Sequence, residues 1–419
     1  MKISKKILLS WAVLLCGGSI AVAQQGMSPY SKFGYGLLND NATAAQRQMG
    51  GVGYGMNSGR QINVMNPASY AAADTLTFLF DMGVDFTVMK SKEGAVGENE
   101  AAKDSKYGGG IDYLTMQVPI GKRMGASLGL VPYSSVGYSF GSKITNGINS
   151  HEGQGGINQL YLGFAGKIFK GFSLGANFSY LFGHTVNDVY INTDGGSTSL
   201  FEQVLRVRDW RVQFGAQYSF DLNKDNRITA GLVYSPGKTL LGKATVVKYD
   251  VNADEAPDTL ATKRLKGNAS LPDTWGAGLN YQWQKRLMVE ADFTYQPWSK
   301  VQTVELPQFE GTRFADRWQV ALGAQFTPSL RGSYVKRITY RMGGFYNRDY
   351  MMVGDNHVRE YGVSFGFGFP ALASKTVINL GLEYRHRQAH PNPLLQESYI
   401  NIRLGINFNE LWFFQNKIK

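Results

Sequence analysis

A single cysteine, Cys16, is all the sulfhydryl chemistry this 419-residue chain contains. It lies in the apolar stretch Ile7 to Cys16, which follows Lys2, Lys5 and Lys6 and precedes Ala21-Val22-Ala23. A basic start, a short apolar run and a small-x-small site read as a secretory signal peptide over residues 1–23. Lipoprotein processing at Cys16 is disfavoured, because Leu15 is large where that processing wants a small residue. With cleavage after Ala23, the mature chain has no cysteine. Disulfide, thiol-nucleophile and Cys-metal chemistry are then excluded.

Long apolar runs are missing as well. No later window approaches the 18 or more residues that a helical membrane span needs. Histidine is scarce, with five residues. His386 and His390 are four apart but straddle a strand end before Pro391, with no acidic partner pattern. His151, His184 and His357 fall near loops or strand ends, with nothing to set one beside a serine and an orienting group. Neither a metal, a cofactor nor an enzyme is expected. The net charge is +11, or +8 once the three signal lysines are removed, but Lys and Arg are scattered without a basic helix. Nucleic acid is therefore a poor fit, and an anionic lipid surface or acidic ligand a better one. Gly50-Gly51-Val52-Gly53-Tyr54-Gly55 lacks the strand, helix and Lys-Ser/Thr of a phosphate loop and reads as a compact backbone path. Asp221 to Asn226 opens like a calcium loop, but Asn226 replaces its glycine and Leu232 its closing acid, so a turn is expected.

What the chain has in plenty is period two. Trp210, Val212, Phe214, Ala216, Tyr218 and Phe220 alternate with polar or small residues. The pattern returns at Trp275–Trp283, Trp318–Phe326, Tyr361–Phe369 and Ile400–Phe408. Alternation means strands with one apolar face. Without a helical span, only a closed barrel satisfies every backbone group in a bilayer. A mean hydropathy of −0.23, with 50 Gly, 23 Tyr, 24 Phe and 7 Trp, suits a polar lumen, tight turns and aromatic girdles.

Fourteen strands are expected, starting near 76, 110, 124, 156, 171, 201, 226, 262, 286, 315, 336, 358, 375 and 397. Around 226–284, Pro236-Gly237 and Leu271-Pro272 leave kinks and breaks both open. Short links such as Gly121-Lys122-Arg123 alternate with longer ones at 90–108, 141–155, 191–200, 249–261, 306–314 and 388–396, as in outer-membrane barrels. The fold expected is all-β, a transmembrane antiparallel barrel over residues 73–419. Residues 24–72, small and aperiodic, are expected to plug its lumen. If the apolar set faces lipid, Arg337, Arg341, Arg385, Arg387, Arg403, Glu383, Glu290 and Asp292 face inward. They form an interior salt-bridge network or a ligand-holding wall. Five positive charges against three negative leave an excess of two for water or an anionic head group.

Two stretches carry a family resemblance. The first holds Arg47-Gln48-Met49-Gly50-Gly51-Val52 followed by Asn66-Pro67-Ala68. The second holds Leu271-Pro272-Asp273-Thr274-Trp275, Glu290-Ala291-Asp292-Phe293, Trp298-Ser299-Lys300 and Asp316 to Ala324. In this order the motifs resemble the FadL-type outer-membrane transporters of long-chain fatty acids and hydrophobic compounds. The resemblance implies a fourteen-stranded barrel closed by its N-terminal segment, with Gly50, Gly51, Asn66 and Pro67 in the plug. Hydrophobic or amphipathic ligands would enter from outside and leave sideways through the wall. The apolar ligand-binding segments of that family are not recognisable here. A related group with the same Asn-Pro-Ala start partners a protein-secretion translocon, and such a partner is the alternative. Outer-membrane lipids and lipopolysaccharide are the expected surroundings.

Overall fold

The computed structural model describes residues 27–94, 103–144, 147–193, 198–251, 258–264, 269–302, 313–372 and 374–411. The signal-peptide region and Cys16 lie outside the described residues. A closed barrel of fourteen antiparallel strands dominates. In chain order they are β1 (Thr77–Glu93), β2 (Lys103–Ile120), β3 (Met124–Ile144), β4 (Gly147–Phe169), β5 (Phe172–Thr193) and β6 (Thr198–Asp221). Two broken strands follow, β7 (Asn226–Ser235 and Gly242–Val251) and β8 (Asp258–Arg264 and Thr274–Trp283). The remaining six are β9 (Leu287–Gln296), β10 (Arg317–Phe326), β11 (Thr339–Val353), β12 (Asn356–Pro370), β13 (Val377–His390) and β14 (Leu395–Leu411). β14 closes the wall on β1, with Leu411 opposite Thr77 and Leu395 opposite Glu93.

The faces follow the alternation. Trp210, Phe214 and Tyr218 are exposed on the outer surface, as are Ile400, Ile402, Leu404 and Phe408. Their neighbours Asp209, Gln217, Asn401 and Arg403 are buried. Directly opposed residues build an upper aromatic girdle, Tyr234–Trp275–Tyr295–Trp318 across β7 to β10, with the Tyr234 and Trp275 rings 4.2 Å apart. Phe326–Tyr340–Phe367 form part of a lower one. Eight residues separate Trp318 from Phe326, a rise of roughly 26 Å along the strand. At a strand tilt of about 40° this spans roughly 20 Å of height, within the apolar band, about 25 Å tall, of membrane barrels.

One expectation is corrected and one open point is decided. Among the described residues, the links expected at 90–108, 141–155, 191–200 and 249–261 are mostly strand, since β3 and β4 pair out to Ile144 opposite Gly147 and β5 and β6 to Asn192 opposite Thr198, while Lys92 pairs with Lys103 and Asp250 with Asp258. Apolar alternation fades where a strand leaves lipid, while its ladder continues into water. At Pro236-Gly237 and Leu271-Pro272, where kinks and breaks were both open, the ladders of β7 and β8 are broken, and Lys238–Thr239 and Ser270–Leu271 form a separate small pair.

The ladder is interrupted in one place that bears on function. β2 pairs with β3 only through Leu114–Ile120 opposite Leu130–Met124, and β3 beyond Val131 has no β2 partner. A two-residue strand of the N-terminal segment, Leu37–Leu38, pairs there with Ser135 and Ser134, and Asn39 N–H donates to the Tyr133 carbonyl at 2.9 Å.

Candidate functional site

The inward face of the wall and residues 27–73 make one packed interior. The segment has 3-10 turns at Pro29–Lys32 and Pro67–Ala72 and a helical turn at Ala44–Arg47. Asn66 caps the second 3-10 turn by accepting from Ala68 N–H, and Pro67 stands at its first position. The Asn66 amide also donates to the carbonyls of Tyr54 and Ala216, tying the segment to β6. Gly50 has φ +73°, and a Cβ there would meet the Gly344 backbone at 2.7 Å, so only glycine fits. Its N–H donates to Ser364 Oγ at 2.9 Å. Gly51 also has positive φ.

The glycine-rich run is the compact backbone path expected, and it is pinned by two carboxyl groups of the wall. The N–H groups of Gly53 and Tyr54 donate to Asp292 Oδ2 at 2.6 and 2.9 Å, and that of Gly55 to Glu290 Oε1 at 2.7 Å. Successive N–H groups make an anion-binding concavity, and here the wall itself supplies the carboxylates. Asn280 Nδ2 donates to Glu290 Oε2 at 2.8 Å.

Arg385, Arg387 and Arg403 come together, but with more acid than the sequence reading counted. Arg403 and Arg385 both reach Glu383 at 2.8 Å. Arg385 and Arg387 reach Glu360 at 3.0 and 3.2 Å, and Arg387 lies 3.7 Å from Glu397. Three arginines face three carboxylates, so the expected excess of positive charge is not present. Ser28 Oγ donates to both Glu397 oxygens at 2.7 and 2.8 Å, which brings the start of the segment into this network. Arg341 stands apart, buried and donating to Gln48 Oε1, Asn379 Oδ1 and Gln325 Oε1 at 2.7–2.9 Å. Arg337 does not face the lumen from a strand. It lies in the helical turn Tyr334–Arg337 ahead of β11, so strand alternation does not apply to it. Glu290 and Asp292 serve the glycine-rich run instead of the arginines.

Between the segment and the wall lies a cavity of about 70 Å³, lined by Asp40, Asp292, Arg211, Arg317, Gln296 and Gln319 among others. At one probe sphere of about 10–15 Å³ per water, it holds on the order of five water molecules. Arg317 reaches Asp40 at 3.2 Å, and Gln319 Nε2 donates to the same carboxylate. Burial pushes the Asp40 carboxyl up, but Arg317 and Arg47 outweigh it and leave it below the ordinary range. A second, smaller cavity lies between Asp40–Thr43 and the β2–β3 interruption, against Asp112, Tyr113, Val131 and Pro132. On one side the interior is sealed by aromatics that sequence reading missed. Trp298, fully buried at the head of its Trp-Ser-Lys triplet, stacks on Tyr350 at 4.3 Å, and Tyr350 accepts from Tyr35 N–H. Among the described residues, no group of three His, Cys, Asp or Glu side chains is arranged to hold a metal.

The family model for BamG matches residues 3–419, nearly the whole chain. The chain belongs to the BamG family. Solved structures share the fold of this BamG-family barrel. A FadL homologue of Pseudomonas aeruginosa aligns at 14% identity and TM-score 0.60, covering 89% of this chain and 99% of its own. The toluene transporter TodX of P. putida gives 15% and 0.60, covering 90% and 100%. The toluene transporter TbuX of Ralstonia pickettii gives 16% and 0.55, covering 88% and 98%. The FadL-type resemblance thus holds for the architecture. No curated protein sequence is similar to the chain.

Proposed function

We propose that this chain is an outer-membrane barrel whose residues 24–72 plug the lumen, and that it passes small amphipathic or hydrophobic molecules without an energy source. The observation that carries this reading is the β2–β3 interruption, covered from inside by Leu37–Leu38 and backed by the cavity at Asp40–Thr43. A ligand with higher affinity for a state in which Leu37–Leu38 has left β3 would open a sideways path. That TodX and TbuX, which share the fold, are toluene transporters supports the class of ligand. Fatty acid as the substrate, and the lumen residues as its holders, remain part of this proposal.

A second reading is a non-transporting barrel that partners a protein-secretion translocon. The paired-up interior favours it, because the cavity at Asp40 is polar and small. One experiment separates the two. Leu37→Cys/Ser135→Cys, in a mature chain with no other cysteine, can be locked by oxidation across an observed register pair. Under the transport reading, oxidation blocks uptake of a labelled amphiphile in proteoliposomes and reductant restores it. Equal uptake in both states sinks the sideways path. Absence of uptake even in the reduced protein, at wild-type levels of folded barrel, would favour the partner reading.

A further inference from the structure

We propose that the barrel carries a collar of basic pairs that binds the phosphates of lipopolysaccharide in the outer leaflet; this rests on the outer-membrane reading above. Three cross-strand pairs of like charge stand directly opposite one another. Arg206 faces Lys243 between β6 and β7, Arg348 faces Arg359 between β11 and β12, and Lys92 faces Lys103 between β1 and β2. Their strand neighbours Leu205, Val207, Asn347, Asp349, Val358 and Glu360 are buried inside, so alternation turns Arg206, Arg348 and Arg359 outward. Lys92 and Lys103 are exposed, and Lys92 keeps outward parity with Phe86.

All three pairs lie toward the same end of the barrel. Arg206 is four residues beyond the exposed Trp210, Arg348 and Arg359 are each two beyond Tyr346 and Tyr361, and Arg348 stands directly opposite Trp318 of the upper girdle. Lys92 is four beyond Val88, whose partner is the exposed Tyr107. This is the barrel end where β3 to β6 extend furthest and the turns are not the short ones at 121–123 and 170–171. In such barrels the wall reaches furthest on the external side, so the collar is external.

Like charges directly opposite on a sheet destabilise it, with Cβ atoms about 4.5–5.5 Å apart. Among the described residues none of the six forms an ion pair, and the Arg348 guanidinium hydrogen-bonds to the His357 ring. The outward acids nearest Arg206 form a separate row, Glu152–Asp188–Glu202, further out along β4 to β6. A counter-charge arriving from outside resolves all three pairs. A phosphate just above the girdle can take charge-assisted bonds from both members of a pair. Its acyl chains would lie on the apolar belt below, where Phe178 and Trp210 stack at 6.1 Å.

The test titrates the purified full chain in dodecyl maltoside with diphosphorylated lipid A, read by native mass spectrometry. Arg206→Gln/Lys243→Gln/Arg348→Gln/Arg359→Gln is expected to bind it tenfold or more weakly than wild type. Binding of dephosphorylated lipid A should be weak and equal in both proteins. Arg206→Lys/Arg348→Lys should keep most of the affinity, and heat-modifiable migration on gels confirms that each variant is folded. Unchanged binding by the Gln variant overturns the collar. Phosphatidylglycerol bound as tightly as lipid A, or displacement of lipid A by millimolar inorganic phosphate, overturns it too. Density-gradient fractionation of cells reports separately on outer-membrane placement, so a failure of that reading is told apart from a failure of this one.

Discussion

Gly53 donates its backbone N–H to the Asp292 carboxylate at 2.6 Å, across 239 positions of sequence. Tyr54 shares the same oxygen, so one wall side chain fixes two peptide groups of the inner segment. Removing it strands both donors in a buried place, at about 1–3 kcal/mol each. Asp292→Ala should therefore loosen residues 50–56 while leaving the wall intact. Faster proteolysis or hydrogen exchange in this stretch, with β-sheet circular dichroism unchanged, is the expected result; wild-type protection would contradict it. Asp292→Asn, which keeps an acceptor oxygen, should fall between.

Arg387 bridges Glu360 on β12 and Glu397 on β14 from its place on β13. Breaking such a buried pair from one side leaves an uncompensated charge and costs about 3–5 kcal/mol. Arg387→Ala should lower the unfolding temperature in detergent sharply. Arg387→Met/Glu360→Gln removes charge from both sides and should cost less than the two single changes added together. Additive losses would show that the pair is not coupled.

Acid should release the segment at Asp40. Its carboxyl sits below the ordinary range in the folded state because Arg317 and Arg47 outweigh burial. A depressed carboxyl contributes stability that is fully present above its unfolded value and is lost as pH falls through the folded one. Protection of residues 39–43 should thus be flat from neutral pH down to about pH 4, near the unfolded value, and decline below it. Asp40→Asn should lack this decline. A wild-type decline beginning at pH 6 would assign the effect to another group.

Much of the wall was legible because side-chain direction in a strand has a strict period. The same parity that placed Arg341, Arg385, Arg387 and Arg403 inward also marks Glu360 and Glu397, each next to an outward aromatic or apolar series at Tyr361–Phe369 and Ile400–Phe408. Both acids therefore share the inward face with the arginines they pair with. Arg337 failed for the opposite reason. Parity was carried back past Thr339, where the strand begins and Ser333 heads a helical turn. Residues 27–73 have no period to read, so the contacts of Ser28, Asp40 and Gln48 with distant strands follow only from the closed wall around them. The glycine-rich run was judged by its missing helix and lysine, whereas its ligands came from β9, some 240 residues away.

The seam between β14 and β1 sets an order of events for assembly. β1 follows directly on the inner segment, and the wall closes only when β14 pairs with β1. Gly343 and Gly231 leave no room between wall and segment, since a Cβ at either would fall 2.1 or 1.8 Å from a backbone atom of Met49 or Tyr54. A hoop already shut could not be threaded through so tight a fit. The earliest part of the chain must therefore be seated as a mandrel before the final hairpin closes around it.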